Sequence, residues 1–182
     1  MNKTPRDMLL DGWCFDCEAD CTKCILDGEC AGFASLKTKP VANITTLSKD
    51  LLSAKARVFV KFAYELSTLS KCNEGKVAAI LIANDCSQVF SIGINGGPSG
   101  QADCLCGAKY GCVHAEQNCL AKNTDKFTPK IMICTKQCCQ TCASLIINSD
   151  ANIKEFWFID TYKDNTGLQI LDKAGIKLVR II

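Results

Sequence analysis

"PKIMICTKQCCQTCASLIINSDANIKEFWFID", residues 129–160, decides the architecture of this chain. "PKIMICT" (129–135) is a short apolar run opened by a proline, the pattern of a strand. "CCQTCASLIINS" (138–149) has helical character, and "IKEFWFID" (153–160) returns to strand. The alternation continues on both sides. Upstream, "GKVAAILIAND" (75–85) and "SQVFSIGING" (87–96) read as two strands joined by a polar turn at Asn84 and Asp85. A Gly-rich loop separates them from a helix expected from Val113 to about Lys122. Downstream, "NTGLQILDKAG" (165–175) is a helix ended by Gly175, and "IKLVRII" (176–182) is a last strand. Apolar residues at 47, 51, 52, 58, 59, 62, 66 and 69 predict a further helix within 46–70, opened by a Thr or Ser cap. Strands alternating with helices predict an α/β layered structure around a largely central sheet.

Composition narrows the function. The 182 residues suffice for one cored domain and a small appendage. With 48% hydrophobic and 22% charged residues the balance is globular, not disordered. A net charge of +2 and a pI near 7.9 advertise no nucleic-acid or membrane partner. The longest apolar run, "VAAILIA" (77–83), is too short to span a bilayer. "MNKTPRDMLLDGW" has acidic residues and no apolar core of a signal peptide, so a cytoplasmic location is expected.

That location governs how the 15 cysteines are read. In a reducing compartment, Cys-x-x-Cys pairs point to metal before disulfides. Three such pairs occur: Cys14/Cys17, Cys21/Cys24 and Cys139/Cys142. The chain has one histidine, His114, within "CVHAEQNCLAKN" (112–123), with Glu116 two residues later. His114 and Glu116 begin one expected helix, and Cys139 and Cys142 begin the next. Positions i and i+3 share a helix side, so both thiolates can face one ion, with His114 as third ligand. One nitrogen and two sulfurs with a fourth position open to water is a catalytic zinc pattern, and zinc lowers the pKa of bound water to around 7. Positions i and i+2 do not share a face, so Glu116 is free to take a proton from that water instead of ligating.

His-Ala-Glu followed by a Cys-x-x-Cys helix resembles the zinc-dependent cytidine and deoxycytidylate deaminase superfamily, whose pattern is H-x-E…P-C-x-x-C. The resemblance runs from about residue 48 to the C-terminus. "KVAAILI" resembles the first strand of the family, "SIGINGGPSG" its substrate loop and "HAEQN" the start of its catalytic helix. "IDTYKDNTGLQILDKAGIKLV" resembles the tail of phage-type deoxycytidylate deaminases. Two positions depart from the pattern. Cys138 stands where the family has proline, so "KQCCQTC" offers an alternative thiol, although spacing favours Cys139 with Cys142. Ile94 stands where the loop usually has tyrosine.

The resemblance implies a three-layer α/β/α fold with a central mixed five-stranded sheet over residues 41–182. Residues 1–40 would be a Cys-rich extension and linker. It implies zinc on His114, Cys139 and Cys142, with Glu116 as general acid/base converting dCMP to dUMP and ammonia. Asn95 would contact the nucleotide, the backbone at Ala115 would read the cytosine edge, and Tyr162 would pack near the nucleotide. Asn95 also reads as a turn residue and Tyr162 as a core aromatic. The 5′-phosphate would rely on the Gly-rich loop's backbone amides or a lysine such as Lys109. Homohexamers regulated by dCTP and dTTP are implied as well.

The remaining cysteines divide. Cys72, Cys104, Cys106 and Cys112 match a second, structural zinc site of phage-type enzymes, with Cys106 and Cys112 replacing histidines; buried reduced thiols are the other reading. Four of Cys14, Cys17, Cys21, Cys24 and Cys30 could hold a further zinc. The six acidic residues and one lysine between Asp11 and Cys30 disfavour a nucleic-acid knuckle there. Cys86, Cys119, Cys134 and Cys138 read as small buried hydrophobes. Two rivals remain: the same chemistry on a free nucleoside or on a base in tRNA or DNA, and a non-catalytic zinc scaffold, which would not need Glu116.

Overall fold

The computed structural model describes residues 41, 43–101, 104, 106, 111–162 and 164–182. The chain divides into Met1–Pro40 and Val41–Ile182, and the fold below is that of the second unit. The N-terminal candidates Cys14, Cys17, Cys21, Cys24 and Cys30, and Lys109, lie outside the described residues.

In chain order the elements are β1 (Ile44–Leu47), α1 (Ala54–Thr68), β2 (Ala78–Ala83), β3 (Val89–Ile94), α2 (Ala115–Lys122), β4 (Lys130–Lys136), α3 (Gln140–Asn148), β5 (Ile153–Asp160), α4 (Thr166–Lys173) and β6 (Lys177–Ile181). Among the described residues they form a six-stranded mixed sheet in the order β1-β6-β5-β4-β2-β3. β1, β6, β5 and β4 run parallel, and β2 is antiparallel to both β4 and β3. The expected five-stranded sheet therefore gains one strand. β1 comes from "ITTL", at the start of the segment expected to be helical, and pairs with β6 from Ile44↔Leu178 to Leu47↔Ile181. A partner more than 130 residues away leaves no local trace. The helix itself starts later, at Ala54, where the Ser53 hydroxyl accepts a hydrogen bond from the Ala56 N–H at 3.2 Å.

The period-2 alternation of the strands builds two cores. Ala79 and Leu81 of β2, Met132 and Cys134 of β4, and Phe156 and Phe158 of β5 face α2, α3 and α4. Ala78, Ile80 and Ile82, with Ile133, Trp157 and Ile159, face the opposite way and meet Ala56, Val60, Ala63 and Leu66 of α1. The result is three layers, α/β/α, with both faces of the sheet covered. Cys119, Cys134 and Cys138 are wholly enclosed in the first core, and Cys86 borders the second. None of the four joins the metal-ligand groupings.

Lys130, at the start of β4, is fully buried. Its ammonium donates to Asp125 Oδ1 at 2.6 Å and to the carbonyls of Thr128 and Ala151 at 2.8 and 3.1 Å, and it lies 4.5 Å from the Phe90 ring centroid. Asp125 is held below the usual carboxylate range, first by its hydrogen bond from Lys130. No helix among the described residues is long and apolar enough to cross a membrane.

Candidate active site and metal centres

The site is assembled where β4 ends and two helices begin, the place at which open α/β sheets bind ligands. His114 is the N-cap of α2, and Cys139 is the N-cap of α3 with Cys142 in that helix's first turn. His114 Nδ1 lies 3.5 Å from Cys139 Sγ and 3.3 Å from Cys142 Sγ, and the donor atoms of all three lie within 4.8 Å of one another. A tetrahedral zinc with Zn–S of about 2.3 Å and Zn–N of about 2.0–2.1 Å separates its donors by roughly 3.5–3.8 Å. The triangle fits such an ion.

Protonation follows the same logic. Cys139 is drawn down to about 4, foremost by its hydrogen bond with Cys142, with His114 helping. Cys142 is pushed up by that same bond and by burial, and the Cys139 contact raises His114. Metal ligation requires these donors in their deprotonated forms, so a cation that binds here releases the protons they hold. Cys138 differs. Its side chain is inside the apolar core, and burial pushes its thiol well above the usual value. The structure brings Cys139, not Cys138, to His114.

Two glycines hold the donors in place. A Cβ on Gly167 of α4 would collide with the Cys138 carbonyl oxygen and reach the Cys139 carbonyl carbon and oxygen at 2.9 Å. A Cβ on Gly93 of β3 would collide with the Ala115 carbonyl oxygen and the Cys119 nitrogen. Close backbone approach, not a turn, requires glycine at both positions. Asn118 adds a tie, donating from Nδ2 to the Ile94 carbonyl at 2.8 Å. Gly167→Ala is expected to destabilise the domain by roughly 1–3 kcal/mol, as overpacking does. Urea unfolding measures this, and an unchanged midpoint would mean that α4 can retreat freely.

Glu116, in the first turn of α2, is 4% exposed. Burial raises its carboxyl to about 7, against the pull of a backbone hydrogen bond and His114. It lines a cavity of about 340 Å³ together with His114, Ala115, Cys139, Asn95 and Tyr162. That volume is near the low end of small-molecule sites, roughly 300–1,000 Å³. All three expected substrate contacts are therefore on its wall. Asn95 is already engaged: its Oδ1 accepts from Ser70 Oγ at 2.7 Å and from the Val77 N–H at 2.8 Å, and its Nδ2 donates to the Gly75 carbonyl at 2.7 Å. An amide NH₂ has two hydrogens, so one N–H donor is what Asn95 can still offer. Of the expected phosphate loop only Asn95 reaches the cavity; Pro98, Ser99 and Gly100 are exposed.

The second cysteine group is also assembled. Cys72, Cys104, Cys106 and Cys112 have Sγ–Sγ separations of 3.1 Å (Cys72–Cys106), 3.8 Å (Cys104–Cys72), 3.6 Å (Cys104–Cys112) and 3.4 Å (Cys106–Cys112). Cys104 is drawn down to about 6, foremost by the Asn73 N–H, while hydrogen bonds from its neighbours, Cys72 first, push Cys106 up. Four sulfurs at these spacings suit a closed tetrahedral ion. The group ties the Cys72 turn to the segment leading into α2, whose base is clamped by paired hydrogen bonds between Gly96 and Val113 at 3.1 and 2.8 Å.

Residues 53–159 match the cytidine and deoxycytidylate deaminase zinc-binding region. The chain belongs to that family. It is a hydrolytic deaminase, and both Cys/His groupings of this deaminase fit zinc. The dCMP deaminase of cyanophage S-TIM5 in apo form is 27% identical to it, with 72% of this chain and 100% of that chain covered and a TM-score of 0.60. The same phage enzyme in complex with dCMP and dUMP gives 27% identity, 72% and 99% coverage and a TM-score of 0.61. The Rib2 deaminase of Aspergillus oryzae, a C-terminal deletion mutant, is 18% identical over 70% of this chain and 83% of its own, with a TM-score of 0.52, and shares the fold. No curated protein sequence matches this deaminase.

Sequence reasoning missed Lys136 and Gln137, which also line the cavity. Lys136 ends β4 and Gln137 follows it, ahead of the helix that carries Cys142, where no spacing rule marks a polar residue as cavity-facing. Gln137 is 4% exposed. Its Nε2 donates to the Asp164 carbonyl at 2.6 Å and its Oε1 accepts from the Tyr162 N–H at 3.3 Å, so it seats the segment that carries Tyr162.

Proposed function

We propose that this deaminase converts dCMP and water to dUMP and ammonia, in the supply of precursor for dTMP. The observation that carries the reading is the buried Glu116 beside His114, Cys139 and Cys142 on the wall of one nucleotide-sized cavity. The 27% identity to a phage dCMP deaminase, over nearly its whole chain, supports the nucleotide substrate. His114, Cys139 and Cys142 would hold zinc, which supplies a Lewis acid that makes water nucleophilic at neutral pH. Glu116 takes the proton of the attacking water, delivers it to N3 of cytosine and then assists departure of the C4 amino group. Backbone at Ala115 faces the base edge, Asn95 offers its remaining N–H to the sugar, and Tyr162 packs against the nucleotide.

Cys72, Cys104, Cys106 and Cys112 are proposed as a structural zinc site, and four of the five cysteines in residues 1–40 as another. Metal analysis is expected to return about three zinc ions per chain; a value of one removes both structural sites. Homohexameric assembly, regulation by dCTP and dTTP and a cytoplasmic location, or that of the host for a phage-encoded enzyme, complete the proposal.

The test of substrate is kcat/KM for dCMP, deoxycytidine, CMP and single-stranded DNA at equal ionic strength. dCMP should lead deoxycytidine by roughly ten- to a hundredfold, the contribution of charge-assisted hydrogen bonds to one phosphate. Equal rates on nucleoside and nucleotide would place the enzyme with nucleoside deaminases.

A further inference from the structure

Lys136 and Lys130 occupy opposite ends of one strand and are treated differently by the fold. Lys130 has a carboxylate and two carbonyls around its ammonium. Lys136 is partly buried on the cavity wall and makes no ion pair among the described residues, although Asp160 is its register partner on β5. Its Nζ instead lies 5.4 Å from the centroid of the Tyr162 ring. A ring face attracts an ammonium but does not neutralise it. A partly desolvated cation facing a small-molecule cavity without a counter-ion is suited to an anionic group of the ligand.

The rest of the wall narrows the choice. The other charged residues lining the cavity among those described are Glu116, at the donor triangle, and Glu74, on the exposed turn after Cys72. Lys136 is thus the one described cation on the wall. The Gly-rich turn at Pro98–Gly100 is solvent-exposed and does not reach it. Tyr162 is held firmly enough to act as a rest for the lysine: Gln137 accepts from the Tyr162 N–H, donates to the Asp164 carbonyl and approaches Asn165 Oδ1 at 3.3 Å. Gln137 itself is anchored by its N–H to the Asp160 carbonyl at 2.8 Å. The lysine itself stands at the end of β4, paired in register with β5 at Asp160.

We propose that Lys136, resting on Tyr162, binds the 5′-phosphate and makes this deaminase select a nucleoside monophosphate over the free nucleoside. The inference rests on the dCMP reading above and names the residue that enforces it. The phosphate accepts charge-assisted hydrogen bonds from the ammonium, while the base reaches Glu116 and the metal donors.

The experiment compares kcat/KM for dCMP and for deoxycytidine in wild type, Lys136→Met and Lys136→Arg, with zinc content and melting temperature measured alongside. The ratio of the two values should fall roughly ten- to a hundredfold in Lys136→Met and recover largely in Lys136→Arg. On wild-type protein, dCMP but not deoxycytidine should slow acylation of Lys136 by an amine-reactive ester, read by peptide mass spectrometry. This second measurement stands if the variants fold poorly. A Lys136→Met enzyme that keeps the wild-type preference, or wild-type protein whose Lys136 is not protected by dCMP, overturns the lysine assignment alone. Equal loss on both substrates assigns Lys136 to the frame of the site and overturns it too. A wild type without any preference for dCMP overturns the nucleotide reading and the lysine with it.

Discussion

Glu116→Gln is expected to leave the protein folded and zinc-loaded while kcat falls by roughly a hundred- to ten-thousandfold, the usual worth of a positioned acid/base group. Gln keeps the volume and the hydrogen-bonding reach of Glu, which matters at a position only 4% exposed. It cannot accept and return a proton. Because His114, Cys139 and Cys142 form a complete donor triangle without Glu116, the metal should stay. Metal content by atomic emission and turnover of dCMP are read on the same sample. Loss of zinc together with activity would show that the carboxylate helps to hold the ion, and retained activity would dismiss it as the proton carrier.

The second large effect separates three neighbouring thiols. Cys142→Ser should strip zinc from the catalytic site and abolish turnover, because a neutral hydroxyl is a poor ligand beside the thiolate of Cys139. Cys139→Ser should behave alike, losing in addition the contact that raises His114. Cys138→Ser is expected to keep both zinc and activity and to lose stability instead. Its side chain is enclosed in the first core, so the substitution buries a hydroxyl at a cost of about 1–3 kcal/mol unless it finds a partner. The three variants are ranked by bound zinc and by urea midpoint. Zinc loss in Cys138→Ser with retention in Cys139→Ser would reverse the assignment.

Much of the core domain could be read locally. The strands around Ile80, Ile133, Trp157 and Val179 are apolar and bounded by turn residues, and their order with the helices conveys the layered α/β class. Cys139 and Cys142 were recognisable because their i, i+3 spacing puts both on one helix side, and His114 and Glu116 through the His-Ala-Glu pattern shared with the deaminases. The same reasoning did not reach β1, whose strand state depends on β6. It did not see that Gly93 and Gly167 are required by the backbones of other elements. Nor did it place Lys136 on the cavity wall, since a lysine at a strand end is ordinarily a solvated charge.

The division has a physical basis. Hydrophobic period, helix caps and metal-ligand spacing act over a few residues, so the amino-acid sequence by itself determined the order of the elements after β1 and the donors that could meet at one ion, and its short motifs carried the resemblance to the deaminases. Only the tertiary structure decided that Cys139 and Cys142 meet His114 while Cys138 turns into the core, that four cysteines spread over residues 72–112 converge, and that Asn95 has a single donor left. It also left Lys136 on the cavity wall with no ion pair among the described residues. Those outcomes are set by long-range contacts, in which packing, burial and the available hydrogen-bond partners fix where each side chain ends.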